Sequence, residues 1–265
     1  MSISQEDALQ LKSILTRHAR EGEPSGYRVL PERFNALLIG TPDANQRRYH
    51  ERERFAFFQR HVDFSDKRCL DIGCNHAYFL FSALDAGASQ VTGYEGQKTC
   101  GEFVEAAIAK SGSQDKFSFF NEYYQFGEDP QRHDVGLLLN VLHHLGGVYG
   151  AGELGMAEAK RGFLDQLNRM SAQVGTLIFQ LGFNWKGDPK LGFFPNGSKA
   201  EMIDFIRTGT AGHWQIEQIG VAEQGADGSV SYQALDERNI ARDDALGEFL
   251  NRPVFILRSQ RFAAA

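Results

Sequence analysis

Three short stretches of this sequence hold the residues best suited to chemistry. Asp71-Ile72-Gly73-Cys74-Asn75-His76-Ala77 continues an apolar run, Arg68 to Ile72, that reads as a buried strand ending at a glycine. Gly73 permits a tight turn and a close backbone approach to a ligand. The helix expected next, His76 to Asp85, offers unpaired amides to a carboxylate. Twenty-two residues after Gly73, a second strand, Gln90 to Glu95, ends in an acid. A carboxylate there can accept hydrogen bonds from both hydroxyls of a ribose. Together these features describe a pocket for an adenosine with an anionic group attached. The third stretch is His143-His144, directly after the most apolar strand, Asp134 to Val141. A histidine placed there can take the proton of an alcohol; packing or capping of the turn is the competing role for at least one of the pair.

The elements that must position these residues follow from periodicity. Lys98 to Ser111 reads as a helix closed by Gly112, Lys116 to Asn121 as a strand, and Glu153 to Ser171 as a long amphipathic helix. Gly175 to Leu181 is a further apolar strand, and Ser198 with Glu201 forms a capping box that opens a helix through Ile206. His213 to Val221 and Val254 to Arg258 complete seven strands. Strands alternating with helices predict an α/β domain with a doubly wound, mostly parallel seven-stranded sheet over residues 67–265. In such sheets ligands bind beyond the carboxyl ends of the strands, where Gly73, Glu95 and His143 stand.

Residues 1–66 read differently, as an N-terminal helical extension. Ser4 to Arg20 is a predicted helix, glycines and prolines break the chain from Gly22 to Pro42, and a second helix is expected over about Asp43 to Val62. That helix carries Arg47, Arg48, Arg52, Arg54 and Arg60 against Glu51 and Glu53. It is either a solvated face with i,i+4 pairs or a lid whose Arg47 and Arg48 meet an anionic acceptor.

The first motif, read with its neighbours, resembles motif I of the class I S-adenosylmethionine-dependent methyltransferases, roughly D-x-G-x-G-x-G. Asp71 and Gly73 match it, while Asn75 and Ala77 replace the later glycines. Glu95 matches the family's ribose-binding acid, and His133-Asp134-Val135 through Asn140-Val141-Leu142-His143-His144-Leu145 resembles its fourth motif. The resemblance covers about Lys67 to Gln180. A dinucleotide fingerprint fits less well, because Asn75 and Tyr78 stand where two of its three glycines belong. The resemblance implies S-adenosyl-L-methionine as cofactor and a Rossmann-like sheet ending in an antiparallel hairpin. It places Asp71, Gly73, Asn75 and His76 around the methionine portion. Glu95 would hold the ribose, Gly96, Asn121 and Glu122 the adenine side, and Asn140 the fourth motif. No prolines follow Asn140, so the family's members that act on amines are not the ones resembled. The implied activity is methylation of a hydroxyl on a small molecule, sugar or glycan, with His143 and His144 as candidate bases. Tyr149, in the glycine-rich stretch Gly146 to Gly155, and Trp185, in the loop from Gly182, are the candidate acceptor contacts, with Arg47 and Arg48.

Composition bounds the alternatives. With 265 residues, 42% hydrophobic and 23% charged, the chain can bury a substantial core and does not fit disorder. No run of 18 apolar residues occurs, so no membrane span is expected. Three cysteines without CxxC spacing, and no basic-then-apolar start, lead to the expectation of a reduced, cytoplasmic protein. Neither HExxH nor paired-cysteine spacing marks a metal site. A net charge of −6 weighs against a general polyanion binder. It thus opposes the second reading, an RNA (tRNA) modifying methyltransferase, which the arginine-rich helix favours. A third reading is a catalytically silent binding protein with the same fold.

Overall fold

The computed structural model describes residues 3–20, 34, 49–127, 131–150, 152 and 154–262. Arg47 and Arg48, and the expected start of the second helix, lie outside the described residues. The chain divides into two compact units, Met1–Glu51 with Phe64–Tyr124, and Arg52–Asp63 with Gln125–Ala265.

The first unit holds α1 (Gln5–Arg20), β1 (Arg68–Ile72), α3 (Tyr78–Asp85), β2 (Gln90–Tyr94), α4 (Lys98–Ser111) and β3 (Phe117–Phe120); α2 (Glu51–His61) precedes β1 in the chain. The strands are parallel in the order β3-β2-β1, with Asp71 opposite Gly93 and Gly93 opposite Phe119. Phe81, Phe103 and Leu70 are fully buried among them. α1 opens on Ser4, whose hydroxyl accepts from the Asp7 amide at 3.1 Å. It lies along α4 through the Asp7–Lys110 ion pair at 2.7 Å and the Arg17–Glu102 pair. α3 begins two residues later than its apolar pattern suggests. Asn75 (φ 51°) and Ala77 (φ 58°) adopt left-handed backbone, which a right-handed helix cannot contain.

The second unit holds β4 (His133–Leu139), α5 (Met156–Arg169), β5 (Val174–Gln180), α6 (Lys199–Gly209), β6 (Trp214–Gln224), β7 (Val230–Ala234), α7 (Gly247–Leu250) and β8 (Val254–Ser259). The strand order is β4-β5-β8-β6-β7. β4 and β5 are parallel; β8 runs antiparallel to both β5 and β6, and β7 antiparallel to β6. The first unit thus holds three strands and the second five, one more in all than the sequence pattern predicts. The additional strand is β7, whose Val-Ser-Tyr-Gln-Ala pattern buries Tyr232 alone. It occupies the long connection before β8, behind a hairpin closed by Gly225 donating to the Ser229 carbonyl at 2.8 Å.

α2 belongs to this unit from Arg52 onward. Phe57 is fully buried, and its ring covers Gly220 of β6: a Cβ there would come within 2.5 Å of Phe57 Cζ. Arg60 donates to the Tyr232 carbonyl, and Arg54 is 1% exposed. Of the arginines described on α2, Arg54 is therefore packed into the unit, whereas Arg52 and Arg60 are exposed. Phe57→Ala should lower stability by about 3–5 kcal/mol, because Gly220 cannot fill the space left behind. Urea denaturation checks this; a loss under 1 kcal/mol would mean that α2 does not depend on this contact.

Candidate active site

In the first unit, the loop after β1 is clamped to the end of β2. Gly73 (φ 71°) and Cys74 both donate to the Tyr94 carbonyl, at 2.8 and 3.0 Å. The Asn75 amide then donates to Glu95 Oε2 at 2.8 Å, and the Gln97 amide donates to Glu95 Oε1 at 2.8 Å. The carboxylate thus ties the loop after β1 to the turn after β2, with acceptor capacity remaining for a ligand hydroxyl. Burial raises the Glu95 pKa, and the amide hydrogen bonds oppose that rise. The Asn75 side chain accepts from the His76 amide at 3.0 Å, and the buried His76 ring meets Phe103 edge-on at 5.1 Å. Asp71 is 2% exposed, one residue before the end of β1.

Asn121 follows β3 and donates from Nδ2 to the Glu95 carbonyl at 2.6 Å and to the Gln97 carbonyl at 3.2 Å. Its amide thus holds the backbone on either side of Gly96. Glu122 is exposed. Tyr123 adds a contact that no sequence pattern marks. Its ring lies so close on Gly96 that a Cβ at that position would fall against the ring carbons. Behind it, Tyr94 stacks on Phe120 at 4.8 Å and meets Tyr124 edge-on at 4.9 Å.

In the second unit, β4 runs into Asn140 (φ 61°) and a 3₁₀ turn, Leu142–His144. Asn140 donates from Nδ2 to Gln180 Oε1 at 3.0 Å and accepts at Oδ1 from Arg252 Nη1 at 2.7 Å. Gln180 also accepts from Arg54 Nη1 at 3.2 Å and donates to the Arg252 carbonyl at 2.9 Å. Arg252 grips Glu248 with Nε at 3.0 Å and Nη2 at 2.5 Å, and Glu248 accepts from the Phe183 amide at 3.0 Å. Sequence reasoning missed Gln180, Glu248 and Arg252. A lone glutamine closing the apolar strand Val-Gly-Thr-Leu-Ile-Phe-Gln was the available signal.

The two histidines differ. His143 is 2% exposed, and its Nδ1 accepts from the Gly182 amide at 3.3 Å. A neutral ring with Nδ1 as acceptor carries its proton on Nε2. Burial first, then His144 and Arg252, push its pKa well below the usual histidine range. His144 is half-buried, with its ring 4.1 Å from that of His143. Its Nδ1 has no hydrogen-bond partner among the described residues. Burial and Arg252 lower its pKa as well.

Both acceptor candidates described here are anchored. Trp185 is buried and donates from Nε1 to the Leu145 carbonyl at 2.8 Å, with Lys186 Nζ 4.5 Å over its ring. The Tyr149 hydroxyl donates to Gln166 Oε1 at 3.1 Å, and burial raises its pKa. The substrate candidates Arg47 and Arg48 lie outside the described residues.

No family model and no curated protein matches the chain. Among solved structures, a Listeria monocytogenes protein described as a candidate S-adenosylmethionine-dependent methyltransferase aligns with a TM-score of 0.50 at 14% identity. That alignment covers 78% of this chain and 96% of that one. WbdD aligns at 0.53 and 15% identity over 94% of this chain but 46% of its own length, so this chain spans less than half of WbdD. The 16S rRNA methylase RmtB aligns at 0.49 and 10% identity over 98% of this chain and 77% of that one. The fold is that of the class I S-adenosylmethionine-dependent methyltransferases.

The depressed histidines make stability depend on pH in a definite direction. The unfolded rings protonate near 6.5, whereas the folded ones protonate lower. Below 6.5 the unfolded state therefore binds more protons. The stabilisation is fully present above that pH and is lost as pH falls toward the folded values, by up to about 1.4 kcal/mol per pH unit for each ring. Urea melts at pH 7.5 and 5.5 should show the loss, and His143→Gln should reduce it. An unchanged loss in that variant would remove His143 as a source.

Proposed function

We propose that this chain is an S-adenosylmethionine-dependent methyltransferase that methylates a hydroxyl of a small molecule, sugar or glycan. The observation carrying this reading is Glu95, a buried carboxylate at the carboxyl end of β2 that accepts from the Asn75 amide in the loop after β1 and from the Gln97 amide after β2. Its remaining acceptor capacity suits the two hydroxyls of a ribose. The left-handed turn of Gly73 and Asn75 suits close backbone approach by the methionine portion. Gly96, whose flanking backbone is held by Asn121, and the Tyr123 ring against it suit the adenine side. When bound, S-adenosylmethionine supplies a methyl group activated by its sulfonium.

The chain's own contribution is alignment of the acceptor and removal of its proton. His144 is the base. Its Nδ1 is uncommitted and its depressed pKa keeps the ring neutral at physiological pH. His143 is a positioning residue, its Nδ1 already taken by the Gly182 amide. The Asn140 amide is committed to Gln180 and Arg252, which leaves nothing there to hold an acceptor amine and favours an oxygen acceptor. Among the described residues no helix is long and apolar enough to cross a membrane.

Glu95→Ala should weaken calorimetric binding of S-adenosylmethionine by roughly 1.5–3 kcal/mol, about tenfold or more. Wild-type protein that binds neither S-adenosylmethionine nor its demethylated product would instead support the silent-protein reading. His144→Gln should lower kcat by roughly 10²–10⁴-fold and leave cofactor affinity intact. Wild-type kcat should stay flat from neutral pH to below 6.5, because the base loses its function only on protonation at its depressed pKa. A profile breaking above 6.5 would count against His144. Transfer of labelled methyl into fractionated cell extract identifies the acceptor, and label confined to RNA would overturn the hydroxyl-metabolite reading.

A further inference from the structure

The second unit carries a cleft of about 590 Å3 at the amino-terminal end of β5, whereas His143 and His144 follow the carboxyl end of β4. Its lining includes Arg169 at the end of α5, Arg261 after β8, His213 before β6, Asn168 and Asp165. Both arginines are exposed. Neither guanidinium has a hydrogen-bond or ion-pair partner among the described residues, and Asp165 pairs with neither. Asn168 donates from Nδ2 to the Gly209 carbonyl at 2.9 Å, while its Oδ1 is buried without a partner.

The floor of the cleft is tied together by hydrogen bonds. Ser171 is 1% exposed and donates its hydroxyl to the Asn168 carbonyl at 2.6 Å. With that proton committed, the 3.4 Å contact to His213 Nδ1 requires the ring to donate, which leaves Nε2 available. The Ser259 hydroxyl donates to the Ser171 carbonyl at 2.5 Å and accepts from the Arg261 and Phe262 amides at 2.9 Å. Arg261 therefore springs from a fixed backbone. Arg169 crosses Gly127, where a Cβ would approach Nη1 to 3.2 Å.

We propose that this cleft binds a phosphate-bearing small molecule. Two unpaired guanidinium forks match the several oxygens of a phosphate, which one fork cannot satisfy. A volume of this size holds a small phosphorylated metabolite. Asp165 opposes the anion but leaves the charged lining one net positive charge, in a chain of net −6.

Isothermal titration with inorganic pyrophosphate at constant ionic strength tests this. Saturable 1:1 binding is expected, weakened at least about tenfold in the R169Q/R261Q double variant, as loss of charge-assisted hydrogen bonds requires. D165N should tighten it. Single R169Q and R261Q variants, each weaker than wild type, carry the test if the double variant loses its fold. No saturable binding to wild type, or equal affinity in wild type and the arginine variants, overturns the proposal. Neither outcome depends on whether S-adenosylmethionine binds.

Discussion

Gln180 is fully buried at the end of a strand whose seven residues are all buried. A primary amide in that position must find its partners inside the protein, at a cost of about 1–3 kcal/mol for each group left unmet. Gln180 finds them on three elements. Arg54 of α2 and Asn140 after β4 donate to its oxygen, and its amine donates to the carbonyl of Arg252, which leads into β8. Arg252 closes the circuit through Asn140 and Glu248. The conformation of the turn that carries His143 and His144 follows from this one requirement. Asn140 holds a left-handed φ with both ends of its side chain tied down.

The same tension between burial and hydrogen bonding sets the chemistry of each unit. Glu95 is pushed toward protonation by desolvation and pulled back by the amides of Gln97, Asn75 and Gly96. His143 and His144 are pushed toward the neutral form by burial, with Arg252 adding to the effect in both. Cys74, inside the loop, is driven well above the ordinary thiol range by burial and by Asp71 and Glu95. It therefore stays a neutral thiol of low reactivity, leaving the loop to backbone geometry and to Glu95.

Much of this was legible in sequence, for reasons visible at particular residues. α4 runs from Lys98 to Ser111 as its apolar spacing and Gly112 predict, and the Ser198–Glu201 box opens α6 through reciprocal bonds at 3.0 and 3.2 Å. These are local effects, encoded within a few residues. The errors fall where local pattern and tertiary demand part. α3 starts late because the loop before it is wound left-handed to reach Glu95. β7 escaped notice because an edge strand with one buried side chain carries almost no period-2 signal.

The sequence by itself determined the alternation of strands and helices, the glycine turn after β1, and the acid at the end of β2, because periodicity and turn chemistry act over short distances. Only the tertiary structure decided the roles of Arg54, Gln180 and Arg252, which lie 126 and 72 residues apart along the chain and look like ordinary polar residues until they meet. It also separated two adjacent histidines that sequence treats alike. One accepts from the Gly182 amide and the other keeps a buried nitrogen without a partner among the described residues, because burial and partners belong to position in space, which neighbours in sequence need not share.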